Sequence, residues 1–197
     1  MIANQDRSGW FGASDTDKVL NTNYKTKTFK QWWAVKLGEQ EPDFQGSKYT
    51  EAGNKYEHPI LLNINEKMNL DRQIKIEKHL LRVNYDGDFN GTIYEVKTHK
   101  GDKQYETSTS HWRQTQVEMY TYKTMAEELE LPPFKRLYIV SYALTPEEYF
   151  KDYDEVEVDF SRIVFHEVKY DKHFIKEEYL PRLKEKARAL KKGKFLE

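Results

Sequence analysis

The chain has no cysteine in its 197 residues. That excludes a disulfide scaffold, an iron–sulfur cluster and any thiolate zinc site. No apolar run reaches membrane-spanning length, and the first residues lack the basic-then-apolar order of a secretory signal. A cytoplasmic protein without membrane contact is therefore expected. Repeats and low-complexity tracts are also missing. The 6 histidines show no H-E-x-x-H or other paired ligand spacing, which argues against a zinc hydrolase. Neither a P-loop nor a dinucleotide G-x-G-x-x-G occurs, so the chain is not expected to hydrolyse ATP. Excess charge of one sign is absent: 32 basic residues face 33 acidic ones, for a net charge of −1. Composition alone therefore gives no pointer to nucleic acid.

What is present is aromatic and charged. Hydrophobic residues make up 38%, with 14 Tyr, 10 Phe and 4 Trp, so much of the core must be aromatic. A charged fraction of 33% solvates the surface. The length suits one domain over residues 1–197. Charge is unevenly spread: seven Lys and Arg stand against Glu185 between Arg182 and Lys194, while Glu147 to Asp159 is acidic. Both read first as solvated surface.

Local signals predict a mixed order of elements. Ser14 or Asp15 can cap a short helix reaching Leu20, and Phe29 to Leu37 reads as an aromatic-rich second helix. Tyr49 to Ile64 is helical in pattern, with Thr50 as cap and a kink at Pro59. The period then changes to two: Lys75 to Tyr85 and Thr92 to Thr98 read as strands joined by a turn through Asp86 to Gly91. His111 to Leu131 is predicted as a long helix closed by Pro132-Pro133. Leu137 to Leu144 and Ile163 to Tyr170 read as strands, and Phe174 to Lys192 as a final helix. His111-Trp112 and Trp32-Trp33 read as core or interface aromatics. The expected class is α/β, a central mixed sheet flanked by helices.

The chemistry concentrates in Ile93-Tyr94-Glu95-Val96-Lys97. Strand alternation puts Ile93, Glu95 and Lys97 on one face. Asp86, placed at the hairpin turn, and Glu95 can converge on one hard cation, which prefers oxygen ligands, and the backbone carbonyl of Val96 is a further candidate ligand. Lys97 beside them can orient a water and offset charge on a scissile phosphate. A second E-x-K exists, Glu167-Val168-Lys169, preceded by Asp159, and spacing alone does not separate the two. The first is favoured because a glutamate-bearing helix precedes it and a glutamine-bearing helix follows it.

Five short motifs follow in order: Arg7 with Ala13-Ser14, Gly53-Asn54-Lys55-Tyr56-Glu57, Asp86-Gly87, Glu95-Val96-Lys97 and Gln114-Thr115-Gln116-Val117-Glu118-Met119. Together they resemble the lambda exonuclease (YqaJ-like) family of phage recombination nucleases, in the PD-(D/E)XK superfamily. Arg7, followed by Ala13-Ser14, is similar to the family's opening. Gly53-Asn54-Lys55-Tyr56-Glu57 matches its G-x-x-Y-E helix, Asp86-Gly87 its metal-binding aspartate, Glu95-Val96-Lys97 its E-x-K strand, and Gln114-Thr115-Gln116-Val117-Glu118-Met119 its Q-x-Q-x-x-M helix. Tyr85 stands where many relatives carry the proline of the superfamily's name.

The resemblance implies a restriction-endonuclease-like core and a metal-dependent nuclease. Such a nuclease would digest duplex ends 5′ to 3′ and leave a 3′ single strand for a single-strand annealing protein. Asp86 and Glu95 would hold Mg2+ (or Mn2+), with Glu57 reaching it directly or through water. Lys97 would be catalytic, Gln114 would hold Lys97 or the attacking water, and Arg7 and Ser14 would bind the terminal 5′ phosphate. It also implies a ring-shaped homotrimer. An endonuclease or junction resolvase on the same core, or a non-catalytic DNA-end-binding protein, are the alternatives.

Overall fold

A computed structural model describes residues 8–42, 47–101, 103–150 and 156–196. The sheet has five strands in sequence order: β1 (Asn69–Ile76), β2 (Leu81–Phe89), β3 (Thr92–Lys100), β4 (Arg136–Leu144) and β5 (Ile163–Val168). Neighbours are antiparallel except β3 and β4, which run parallel. A parallel pair needs a crossover, and α4 (Thr109–Met125) supplies it. The observed class is the expected one, a mixed sheet flanked by helices.

Each face of the sheet has its own core. Ile93, Leu137 and Ile139 pack with Val117, Met119 and Tyr122 of α4, with Trp33 of α2 (Lys27–Leu37), and with Leu183 of the C-terminal helix. Val96, Val140 and Tyr142 point the other way, onto Tyr56, Ile60 and Leu61 of α3 (Lys48–Ile64). Burying each such aliphatic side chain contributes about 1.5–3 kcal/mol. Among the described residues no helix is long and apolar enough to cross a membrane.

Several boundaries differ from the sequence reading, each for a local reason. Ser47, not Thr50, caps α3: its hydroxyl accepts the Thr50 amide at 3.2 Å. The helix continues through Pro59 to Ile64. The long strand placed over Lys75 to Tyr85 is two strands, because Glu77–His79 forms a 3-10 turn and Leu80 adopts the left-handed conformation (φ 51). With no glycine or proline to mark that turn, the sequence hid it. Helix α4 loosens after Met125 and closes at left-handed Glu130 (φ 52), where the Leu131 amide donates to the Ala126 carbonyl at 2.8 Å. The last helix opens as a π-helical stretch, Phe174–Tyr179, and continues as an α-helix over Leu180–Lys191. Between β4 and β5 a short helix, Pro146–Phe150, carries the start of the acidic segment.

The β2–β3 turn is Asn90-Gly91, both with positive φ (47 and 81), the signature of a tight hairpin turn. Asp86 was expected in this turn; it lies inside β2 instead, three residues before the strand's end. Gly91 cannot be replaced easily, since a Cβ there would stand 2.1 Å from the Pro133 carbonyl oxygen. Gly91→Ala is expected to destabilise the fold by about 3 kcal/mol or more, from backbone strain plus that clash. A thermal melt checks this, and an unchanged midpoint would contradict the turn geometry.

Candidate active site

The site arises because β2 and β3 part. Their described ladder runs from Phe89↔Thr92 to Gly87↔Tyr94, whereas β2 stays paired with β1 down to Leu81. The vacated edge of β2 is taken by the N-terminal segment. There the Phe11 amide donates to the Leu80 carbonyl and the Arg82 amide to the Phe11 carbonyl, both at 2.8 Å. Asp86 and Glu95 sit where the strands diverge, and Asp86 Oδ2 accepts the Val96 amide at 2.8 Å.

Around this opening the structure brings together Glu57, Asp86, Glu95, Lys97 and Gln114. Lys97 Nζ donates to Glu95 Oε1 at 2.5 Å. Gln114, from the first turns of α4, donates Nε2 to the same oxygen at 2.6 Å. Burial raises the Asp86 carboxyl well above its ordinary range, and the Glu95 and Glu57 carboxylates push it further. Glu57 is raised in the same way, by burial and then by Glu95. Burial alone would lower the Lys97 ammonium, but Glu95 and Asp86 outweigh it and hold the pKa above its usual value. Lys97 is therefore a fixed cation rather than a base.

This donor set fits a divalent ion. Three carboxylates meet one lysine, and the repulsion that raises Asp86 and Glu57 is what a hard cation relieves. On the outer side of Glu57, His58 and Asp71 add further donors: one ligand atom from each of the three lies within 4.8 Å of the others. His58 Nε2 stands 3.0 Å from Asp71 Oδ2.

Beside the carboxylates lies a polar pocket of about 120 Å³, lined by Ser14, Lys36, Arg82, Asn84 and Gln114 together with the N-terminal segment. Its wall is rigidly built. Asp15 accepts the Gly12 amide (2.8 Å), pairs with buried Lys36 (2.7 Å) and accepts Trp32 Nε1 (2.8 Å). Asp15 is thus the residue that closes the turn before α1 (Thr16–Leu20), and Ser14 is left exposed at the pocket. Arg7 lies outside the described residues.

No protein-family model and no curated protein matches the sequence. Among solved structures it is similar to a phage-related exonuclease from Haemophilus somnus 129PT, at 15% identity over 93% of this chain and 92% of that one, with a TM-score of 0.57. It is similar to an alkaline exonuclease from Laribacter hongkongensis at 16% identity, covering 94% and 93% with a TM-score of 0.58. Against that enzyme in complex with dAMP the values are 15%, 94%, 90% and 0.62. The chain has the fold of these exonucleases.

Within this exonuclease fold the two E-x-K motifs part company. Glu167 and Lys169 are exposed, on and just past the edge strand β5, and Asp159 spends its carboxylate on the Ser161 amide and hydroxyl. The sequence reading gave no role to Glu118, Arg82, Asn84 or Lys36, which also border the site. For Glu118 a signal existed: it follows Gln114 by one helical turn and so shares its face. Lys36 and Arg82 come from elements whose approach to the pocket depends on the N-terminal segment pairing with β2, and no local pattern announces that.

Proposed function

We propose that the chain is a metal-dependent deoxyribonuclease that removes nucleotides from the 5′ end of one strand of duplex DNA. The observation that carries the reading is the meeting of Glu57, Asp86, Glu95 and Lys97 at the parting of β2 and β3, beside a pocket sized for a small polar group. Asp86, Glu95 and the Val96 carbonyl hold Mg2+ or Mn2+, with Glu57 contributing directly or through water. When bound, the ion acts as a Lewis acid and lowers the pKa of its water. Lys97 keeps its charge and offsets the negative charge that builds on the scissile phosphate. Gln114 keeps Glu95 and Lys97 in register. Arg7 and Ser14 take the terminal 5′ phosphate, which fixes the distance from the strand end to the cleaved bond. The product is a 3′ single strand, the substrate of an annealing protein in phage-type recombination, and the working assembly is a homotrimer.

A linear duplex labelled at each 5′ end, beside a covalently closed circle, tests this in Mg2+ and in EDTA. Mg2+-dependent release of 5′ nucleotides from the linear DNA alone is expected. Cutting of the circle would make the protein an endonuclease or resolvase on the same site, and no cleavage of either would leave a DNA-end-binding protein.

The phosphate pocket carries its own prediction. Arg7→Ala and Ser14→Ala are each expected to reduce the preference for 5′-phosphate over 5′-hydroxyl ends, Arg7→Ala by about tenfold, the worth of one charge-assisted hydrogen bond. Competition between the two ends measures the ratio, and an unchanged ratio rejects the pocket assignment.

A further inference from the structure

Glu118 is a charged side chain with 0% exposure on the sheet-facing side of α4. One carboxyl oxygen accepts from Gln114 Nε2 at 2.9 Å, and the other has no hydrogen-bond partner among the described residues. Its backbone is fixed as well, since its carbonyl accepts the Tyr85 hydroxyl at 2.9 Å. A buried carboxyl with one unpartnered oxygen, set close to the Glu95 carboxylate, is unfavourable for folding, and an apolar residue of equal size would serve the core better. Its stability role is therefore poor, and its side-chain neighbours, Gln114, Glu95 and Lys97, all belong to the candidate active site.

The contact with Gln114 decides how that amide is set. An amide nitrogen has two N–H groups, and here one goes to Glu95 Oε1 (2.6 Å) and the other to Glu118 Oε1. With both donors held by carboxylates, the polar atom that Gln114 has left for the pocket it lines is its carbonyl oxygen. Without Glu118 the amide can turn over, and Glu95 Oε1, shared with Lys97, loses its second donor.

We infer that Glu118 is a positioning residue for the proposed cleavage: by claiming the second N–H of Gln114 it presents that amide's donors to Glu95 and its acceptor to the pocket. The acceptor suits a water or hydroxyl proton and repels a phosphate oxygen, so Gln114 orients the nucleophile's proton rather than the 5′ phosphate. The inference rests on the nuclease reading.

A double-mutant cycle in the full chain tests it, with kcat and KM for cleavage of 5′-phosphorylated linear duplex as the readout. The variants are Glu118→Leu, which keeps volume without an acceptor, Glu118→Gln, which keeps an acceptor, Gln114→Ala, and Gln114→Ala with Glu118→Leu. Glu118→Leu is expected to melt no lower than wild type, to lose about tenfold in kcat and to keep its KM for DNA. Glu118→Gln should stay within about threefold of wild type, and the double variant should be no slower than Gln114→Ala alone. Wild-type kcat in a folded Glu118→Leu, or losses that multiply in the double variant, would overturn the inference while leaving the nuclease reading intact. Should Glu118→Leu not fold, a slow Glu118→Gln would overturn it and a fast one, with Gln114→Ala slow, would support it. A wild-type protein that cleaves nothing rejects both.

Discussion

Lys97→Ala is expected to abolish most cleavage of linear duplex in Mg2+, by about 10³-fold in single-turnover rate, with DNA affinity little changed. The size follows from what the residue supplies. Lys97 is the cation set beside Asp86 and Glu95, within 2.5 Å of Glu95 and with its ammonium held above its ordinary pKa. A preorganised charge of this kind is typically worth about 10²–10³ in rate. Its removal also frees Glu95 Oε1 to move, adding to the loss. Lys97→Arg should not restore activity, since a planar fork does not fit the space of a compact ammonium beside Glu95. Because the ammonium does not lose its proton near neutrality, the pH–rate profile of the wild type should show no basic limb from Lys97 below about pH 10. A Lys97→Ala enzyme cleaving within tenfold of wild type would remove Lys97 from the chemistry.

The site was legible where its parts are local and obscure where they are not. Glu95 and Lys97 lie on one strand two residues apart, so alternation alone gave their shared face. Gln114 and Glu57 come from helices whose pattern was readable although their caps, Ser108 and Ser47, were not, and their approach to the strand came only through the resemblance. Asp86 was put in the turn because Asp-Gly is a turn signal. In the structure Gly87 serves packing instead: a Cβ there would stand 3.0 Å from Leu61, so the glycine lets α3 lie close to the strand. The same dipeptide thus had a tertiary reason. The pocket was least legible, because it depends on Phe11 pairing with a strand some seventy residues away, at Leu81, and a single bridge leaves no periodic trace. Of the fold, the class followed from element order, whereas the end of β1 was merged with β2 because the turn between them, Glu77 to Leu80, carries no glycine or proline.

The second large effect concerns the conflict between stability and function at Asp86. Asp86→Asn is expected to lose cleavage by at least about 10³-fold and yet to melt higher than wild type when divalent ions are chelated. Asparagine keeps an oxygen for the Val96 amide, so the hydrogen bond at 2.8 Å survives the change. What disappears is a carboxylate forced into a site with Glu95 and Glu57. The sign in pH follows from the direction of the shifts. Asp86, Glu57 and Glu118 all have carboxyls raised in the fold above their ordinary values. A raised carboxyl favours the folded state while it is protonated, fully so below its unfolded pKa, and that contribution is lost as pH rises through the folded value. In EDTA the wild type should therefore be less stable at pH 8 than at pH 6, and Mg2+ should recover the difference by binding the folded state. Replacing Asp86 removes one of these groups, so the pH 6 to pH 8 difference in EDTA should shrink. Relief of about 1 kcal/mol corresponds to roughly 2–4 °C for a chain of this size, and that is the expected rise for Asp86→Asn at pH 8. The variant should also lose most of the Mg2+-induced shift, because its ion ligand is gone. Melts at both pH values, with EDTA and with Mg2+, read all of these. An Asp86→Asn protein that melts lower than wild type at pH 8 in EDTA would show that Asp86 supports the fold, and the crowded carboxylates could not then be explained as groups held in place for an ion.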